Sequence, residues 1–469
     1  MSTAPTTLAF HGAARTVTGS RYLLEHRGVR TVIDAGLFQG FKELRELNWR
    51  EPPFPPHTIR RVLLTHAHID HSGALPLLSR QGFSGEVYAT RSTMKLARIM
   101  LLDAAGIEEE NARYAAKKGY SKHRPPKPMF TERDAIEVLR RFEPVAWDTS
   151  LDLGDGLRAR FLGAGHILGA ASIELRLDSG GRERTVVMSG DIGRYGVPLD
   201  RDPEPRPDCD VLICESTYGN RDHEPMEAVE EQFCAALRET LDREGIVLVP
   251  AFAVGRTQQI ALLLSRLILD GRLPAVPIHI DSPMAIETTE VYSSHLDDEH
   301  LDDDVLADGR RELFPRVVEL HRSVEQSRKL NDLPGPRIII SASGMLTAGR
   351  VVHHLRRLIG NPRNLVLLVG YQAAGTRGRQ LLEGQPRIRM FGEDYSVRCR
   401  CVAIHGLSAH GDRNELLRWI RSAETLPKQI YLTHGEPEAA FAFRQMLRKE
   451  LGSAVEVEVP EMGEVVAVG

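Results

Sequence analysis

The chain predicts an α/β protein in which one α/β domain interrupts another, and three observations along its 469 residues carry that expectation. The first part reads as short strands separated by turns. From Val211 the rhythm changes to longer strand and helix alternation, the pattern of a parallel sheet flanked by helices. After Gly384 the strands shorten again, so the outer fold is discontinuous. The bounds drawn from these shifts are 1–208 for the first part of the outer domain, 209–385 for the insertion and 386–469 for the return to the outer domain.

Taken in order, strands are predicted at Thr7 to Phe10, Tyr22 to Glu25, Arg30 to Asp34, Val62 to Thr65, Glu86 to Ala89, Leu157 to Leu162, Ser172 to Leu177 and Thr185 to Ser189. Helical patterns intervene at Leu75 to Gln81, Arg91 to Ala105 and Glu132 to Arg141. In the insertion, Val211 to Cys214, Ile246 to Val249, Ile278 to Asp281, Arg337 to Ile340 and Leu365 to Val369 read as strands, with helices at Ala228 to Arg243, Thr257 to Leu267 and from Ala348. The last part offers strands at Arg398 to Ile404 and Gln429 to Leu432 around the helix Arg413 to Ala423.

At 42% hydrophobic and 26% charged the chain has the balance of a globular protein, and its length predicts two or three domains. No apolar stretch approaches the roughly 18 residues that span a bilayer, and Met1 to Gly12 lacks a signal pattern, so a cytoplasmic protein with no membrane partner is expected. The five scattered cysteines fit reduced thiols. Cys399 and Cys401 point to one face of an alternating strand, which favours packing over a metal pair. A net charge of −4 does not announce a nucleic-acid binder. The segment Arg113 to Lys127 is locally basic, and Leu296 to Arg311 is rich in Asp.

The chemistry concentrates in Thr65-His66-Ala67-His68-Ile69-Asp70-His71-Ser72-Gly73, three imidazoles and a carboxylate directly after the apolar run Val62-Leu63-Leu64. On a strand-to-helix loop, His66 and His68 leave in one direction while the following turn aims Asp70 and His71 at a neighbouring point. Two metal positions from one loop are therefore plausible. Imidazole and carboxylate suit Zn²⁺, with Mn²⁺ or Fe also accommodated, and the absence of nearby Cys argues against a zinc finger. More donors are needed than this loop supplies. His166 lies in the small-residue loop Gly163-Ala164-Gly165-His166, Asp191 ends the run Val186-Val187-Met188-Ser189-Gly190-Asp191, and His434 ends Ile430-Tyr431-Leu432-Thr433-His434.

With these residues in view, the chain resembles the metallo-β-lactamase superfamily, and within it the β-CASP family of RNA-processing nucleases. Asp34 in Val32-Ile33-Asp34-Ala35-Gly36 matches the first motif, His66 to His71 the second, His166 the third and Asp191 the fourth. The later family motifs match at Glu215 in Cys214-Glu215-Ser216-Thr217-Tyr218-Gly219, at His410 in Leu407-Ser408-Ala409-His410-Gly411-Asp412, and at His434. The nearest branch is that of compact bacterial relatives of the pre-mRNA 3′-end cleavage subunit. The long C-terminal domain of the ribonuclease J branch has no counterpart after His434, and the complete ligand set departs from the inactive scaffold members.

The resemblance implies an αββα metallo-β-lactamase sandwich with an inserted β-CASP domain, and a zinc-dependent ribonuclease acting on single-stranded RNA. It implies two Zn²⁺ per chain, one held by His66, His68 and His166, the other by Asp70, His71 and His434, with Asp191 bridging and Asp34 orienting a ligand. Asp70, Glu215 and His410 are the residues it assigns to catalysis: a water activated between two cations about 3.5–4 Å apart attacks in line, and His410, oriented and kept protonated by Glu215, gives a proton to the departing 3′-oxygen. In the insertion, Ser343 and Gly344, taken to precede a helix, and the loop residues Arg256 and Arg377 are candidate phosphate contacts. A homodimer is compatible with this picture. The alternatives are a hydrolase of a small ester or thioester, a DNA-directed β-CASP nuclease, and an RNA-binding subunit whose metal site is structural; the sequence leaves endonuclease and 5′-exonuclease action open.

Overall fold

The computed structural model describes residues 5–469 apart from 119–125, 179–180, 296–300, 302–312, 314–316, 371 and 373–374. Part of the basic segment Arg113 to Lys127, and the Asp-rich segment Leu296 to Arg311 except Leu301, therefore lie outside the described residues. The chain forms two compact units, the first made of Met1–Tyr195, Asp202–Asp222 and His410–Gly469, the second of Gly196–Arg201 and His223–Ala409.

The first unit holds two seven-stranded sheets. One runs, in spatial order, Val465–Ala467, Thr7–Phe10, Tyr22–His26, Val29–Ile33, Ile59–Leu63, Glu86–Thr90 and Phe142–Val145. The other runs Glu456–Glu458, Gln429–Thr433, Val211–Glu215, Glu183–Met188, Ala171–Asp178, Leu157–Gly163 and Leu151–Asp152. Leu8, Phe10, Ile33 and Leu63 of the first join Phe161, Ile173, Val186 and Ile213 of the second in one buried cluster, so the sheets pack face to face. Helix Arg91–Lys118 lies against Glu86–Thr90 and Phe142–Val145, and helix Pro437–Leu451 against Gln429–Thr433 and Glu456–Glu458. This is the αββα sandwich. Val29–Ile33 pairs in parallel with Ile59–Leu63, and Val211–Glu215 with both Glu183–Met188 and Gln429–Thr433. Parallel pairing brings the carboxyl ends of neighbouring strands to one edge, and those ends carry Asp34, Thr65, Asp191, Glu215 and His434.

The second unit is built on a six-stranded sheet in the order Val318–Leu320, Ile278–Ile280, Arg337–Ser341, Ile246–Pro250, Leu365–Leu368, Arg400–Ala403. Every pairing in it is parallel. Val247, Val249, Ile338 and Ile340 enter one apolar cluster and Leu248, Ile339 and Val366 the other, so both faces are covered and the strands read as continuous apolar runs.

The units divide at different points from the bounds 209 and 385. Val211–Glu215 looked like the first strand of the insertion because it is apolar and a helix follows, yet it pairs inside the second sheet of the sandwich. Arg400–Ala403, shorter and more polar, closes the parallel sheet beside Leu365–Leu368.

Candidate metal centre

The motif loop leaves the fully buried end of Ile59–Leu63 and turns at His68 into the short helix Ile69–Ser72. It is pinned from outside by Ser20 N to Asp70 O at 2.8 Å, Ala35 N to His71 O at 2.6 Å and Leu37 N to Ile69 O at 3.0 Å. Gly36 permits this approach, since a Cβ there would stand 1.6 Å from Asp70 O. Gly193 does the same for the next loops: its N–H donates to Ala164 O, and a Cβ would meet Gly165 O at 1.8 Å, which draws the His166 and Asp191 loops together.

All ten residues expected at the centre belong to the first unit and gather there. His66 Nε2 lies 3.0 Å from His68 Nδ1, which lies 3.2 Å from His166 Nε2. Asp191 Oδ2 is 3.4 Å from His66 Nε2 and 3.5 Å from His166 Nε2. The other oxygen, Oδ1, is 3.2 Å from His71 Nε2 and 3.7 Å from His434 Nε2, and Asp70 Oδ2 is 3.5 Å from His434 Nε2. Thus one carboxylate faces two donor groups, His66 with His68 and His166, and Asp70 with His71 and His434, each able to hold a metal ion. Donors about 2.0–2.1 Å from a tetrahedral zinc stand roughly 3.3–3.4 Å from one another, the spacing found here.

The hydrogen bonds fix which ring nitrogens carry protons. Thr65 Oγ1 is within 2.9 Å of Asp34 Oδ2 and 3.1 Å of His66 Nδ1. Having one proton, it donates to the carboxylate and accepts from Nδ1–H, which leaves His66 Nε2 as a lone pair. His71 Nδ1 donates to Asp34 Oδ2 at 2.7 Å, which leaves Nε2 bare when the ring is neutral. Thr217 Oγ1 donates to His434 O at 2.8 Å and so accepts from His434 Nδ1–H at 3.0 Å, freeing Nε2. His434 Nε2 and Asp191 Oδ1 are buried with no hydrogen-bond partner. Lone pairs converging on a buried carboxylate repel one another unless a cation sits among them, so the donor set fits a divalent metal.

Charge and burial pull in opposite directions here: at His71 burial favours the neutral ring, but Asp191 and Asp34 outweigh it and raise this ring well above the usual imidazole range, so it gives up a proton on binding a metal. Burial, with His71 beside it, holds the His66 ring well below the usual imidazole range. Burial lowers His68 to about 4 against the pull of Asp70 and Asp191. For Asp191 burial favours the acid form, but His434, His71 and His66 outweigh it and keep the carboxylate ionised.

Glu215, fully buried, accepts from Ile192 N at 2.6 Å and contacts His410 Nδ1 at 3.2 and 3.1 Å through its two oxygens. His410 Nδ1 is 3.9 Å from Asp191 Oδ2. Burial would lower the His410 pKa, yet Glu215 and Asp191 raise it to about 9, so the ring is an imidazolium at neutral pH with its Nδ1–H committed to Glu215.

The four residues expected to hold phosphate belong to the second unit. The helix begins at Arg350, not directly after Met345, and the intervening segment turns back through Leu346 N to Ser343 O at 3.1 Å. Ser343 Oγ bonds Thr347 Oγ1 at 2.8 Å, and Gly344 O accepts from Gln372 Nε2 at 3.1 Å. Arg256 is buried and bonds Gln259. Arg377 donates to the carbonyls of Arg389, Leu346 and Thr347, each at 2.9 Å. Both guanidinium groups make hydrogen bonds within their own unit, beyond what their Gly-containing loops suggested. Thr65 and Thr217 contact the candidate donors but do not stand out in the sequence, although each sits inside a motif, next to His66 or two residues after Glu215.

Comparison with known proteins adds the family. Residues 15–220 match the model of the metallo-beta-lactamase superfamily, 257–381 the Beta-Casp domain, and 394–460 the Zn-dependent metallo-hydrolase RNA specificity domain. The chain is 36% identical over 460 residues to Ribonuclease TTHA0252 of Thermus thermophilus, covering 97% of this chain and 99% of that one. It is 30% identical to an RNase J-like protein of Methanocaldococcus jannaschii, with 95% and 96% covered, and 29% identical to the transcription termination factor FttA of Methanosarcina mazei, with 94% and 68% covered. A crystal structure of a protein of unknown function from Enterococcus faecalis superposes with a TM-score of 0.55 at 13% identity over 99% of this chain and 100% of that one, a likeness of fold alone. Motif order, sandwich, insertion and these matches place the chain in the β-CASP family of the metallo-β-lactamase superfamily.

Proposed function

We propose that this protein is a metal-dependent ribonuclease that hydrolyses phosphodiester bonds of single-stranded RNA with two zinc ions per chain. The observation that carries the reading is Asp191: its two oxygens face two separate imidazole groups beside the Glu215–His410 pair. His66, His68 and His166 would hold one zinc, Asp70, His71 and His434 the other, with Asp191 between them. When bound, the ions supply Lewis-acid polarisation of the phosphodiester and a hydroxide nucleophile at neutral pH. Asp34, through Thr65 and His71, and Thr217, through His434, orient ligand rings. Glu215 keeps His410 charged and fixes its Nδ1 side, so the remaining ring proton is available for the departing 3′-oxygen. A small-ester hydrolase has no use for the acid pair and is disfavoured by the RNA specificity domain match.

Digestion of 5′- and 3′-labelled single-stranded RNA by zinc-loaded protein, chelator-treated protein and His68→Ala tests the reading. Cleavage is expected only in the first. Cleavage surviving chelation and His68→Ala, or no RNA cleavage beside rapid thioester or nitrocefin hydrolysis, contradicts it.

A further inference from the structure

Within the second unit, three donor side chains meet on one face of the parallel sheet. His279 and Glu319 are register partners on Ile278–Ile280 and Val318–Leu320, and His321 follows Glu319 by two residues, so all three leave the same face. Ile278 and Ile280 point the other way into the apolar cluster. His279 Nδ1 and His321 Nε2 are 3.0 Å apart, and Glu319 Oε2 lies 3.3 Å from the first and 3.9 Å from the second. These separations bracket the roughly 3.3–3.4 Å edge of a tetrahedral zinc site. The side chains of His279 and His321 are 1% and 12% exposed, while that of Glu319 is 55% exposed, which leaves an approach from solvent.

We propose that His279 Nδ1, His321 Nε2 and Glu319 form a zinc site in the second unit, with an open fourth position for water. Two imidazoles and one carboxylate are borderline ligands suited to this ion. A plain hydrogen bond between the rings accounts for the 3.0 Å contact but leaves the Glu319 oxygen facing an imidazole lone pair. One cation satisfies all three atoms. Both rings are neutral at pH 7, as ligands must be: burial, then His321 and Arg337, holds His279 at about 4, and burial lowers His321 despite Asp281 and Glu319. The nearby Asp281 is already taken up by Ser327, His354 and Arg350. Val318–Leu320 is an edge strand bonded to the sheet on one side only, and a zinc bridging it to Ile278–Ile280 would clip that edge in place.

The test is elemental analysis of the full chain after dialysis against micromolar free zinc, comparing wild type, Glu319→Ala and His321→Ala, each checked for folding by circular dichroism. Each variant is expected to bind one zinc fewer per chain than wild type while cleaving RNA at the wild-type rate. Glu319 is exposed, so its loss does not threaten the fold. Wild-type zinc content in Glu319→Ala overturns the site whatever His321→Ala does, and does so independently of the nuclease assignment, whose donors lie in the first unit.

Discussion

At the residue scale, a hydroxyl of one proton decides the state of a neighbouring ring. Thr217→Val removes the acceptor of His434 Nδ1–H while keeping the shape of the side chain. Losing such a partner typically weakens metal binding roughly 10–100-fold, and competition against a zinc chelator reads the change. His410→Ala is expected to slow RNA cleavage by roughly 10²–10⁴ with first-unit zinc retained, and a substrate with sulfur in place of the leaving 3′-oxygen should recover much of the defect. Glu215→Gln withdraws the strongest support for the charged His410 ring, since burial otherwise lowers its pKa. The alkaline limb of the pH–rate profile therefore moves to lower pH; an unmoved limb removes His410 from the acid role. The candidate donors were legible because clustered His and Asp at the ends of apolar runs have few other uses. Thr65 and Thr217 were not, because a threonine shows its task only when the loops are folded around it. For Arg256 and Arg377, spacing does not reveal that the guanidinium groups bond Gln259 and backbone carbonyls once folded.

At the element scale, the centre depends on loops that touch through glycine. Gly193→Ala places a methyl 1.8 Å from Gly165 O, forcing apart the loops that carry His166 and Asp191. Destabilisation of roughly 1–3 kcal/mol or more is expected, with loss of zinc, read by thermal melting and metal analysis. Gly106→Ala, exposed on helix Arg91–Lys118 with nothing within 4 Å of the new methyl, should instead be neutral or stabilising by up to about 1 kcal/mol. The strand and helix alternation was legible because strands buried on both faces are uninterrupted apolar runs. The helix Pro283–Ser293 and the strands Glu456–Glu458 and Val465–Ala467 were not identified, the strands being only three residues long and held by register with their neighbours. The assignment of Val211–Glu215 to a sheet likewise rests on its partners Glu183–Met188 and Gln429–Thr433, which no local pattern specifies.

At the scale of the whole molecule, neutral histidines in the first unit set an acid limit. Burial, with Arg21 nearby, lowers His11 from 6.5 to about 4, and burial with Arg27 lowers His26. A ring whose folded pKa is depressed costs nothing above pH 6.5; below it the unfolded chain gains protons that the folded one refuses. Melting temperature should therefore fall as pH drops from about 6.5 toward 4 in metal-free protein, and His11→Phe should flatten part of that fall. The proposed two-zinc centre is tested most directly by zinc content and cleavage of labelled single-stranded RNA in Asp191→Asn, which keeps the shape of the side chain proposed to bridge and removes its charge. Loss of two zinc ions per chain relative to wild type, together with loss of cleavage, is the expected result; unchanged zinc and unchanged cleavage would contradict it.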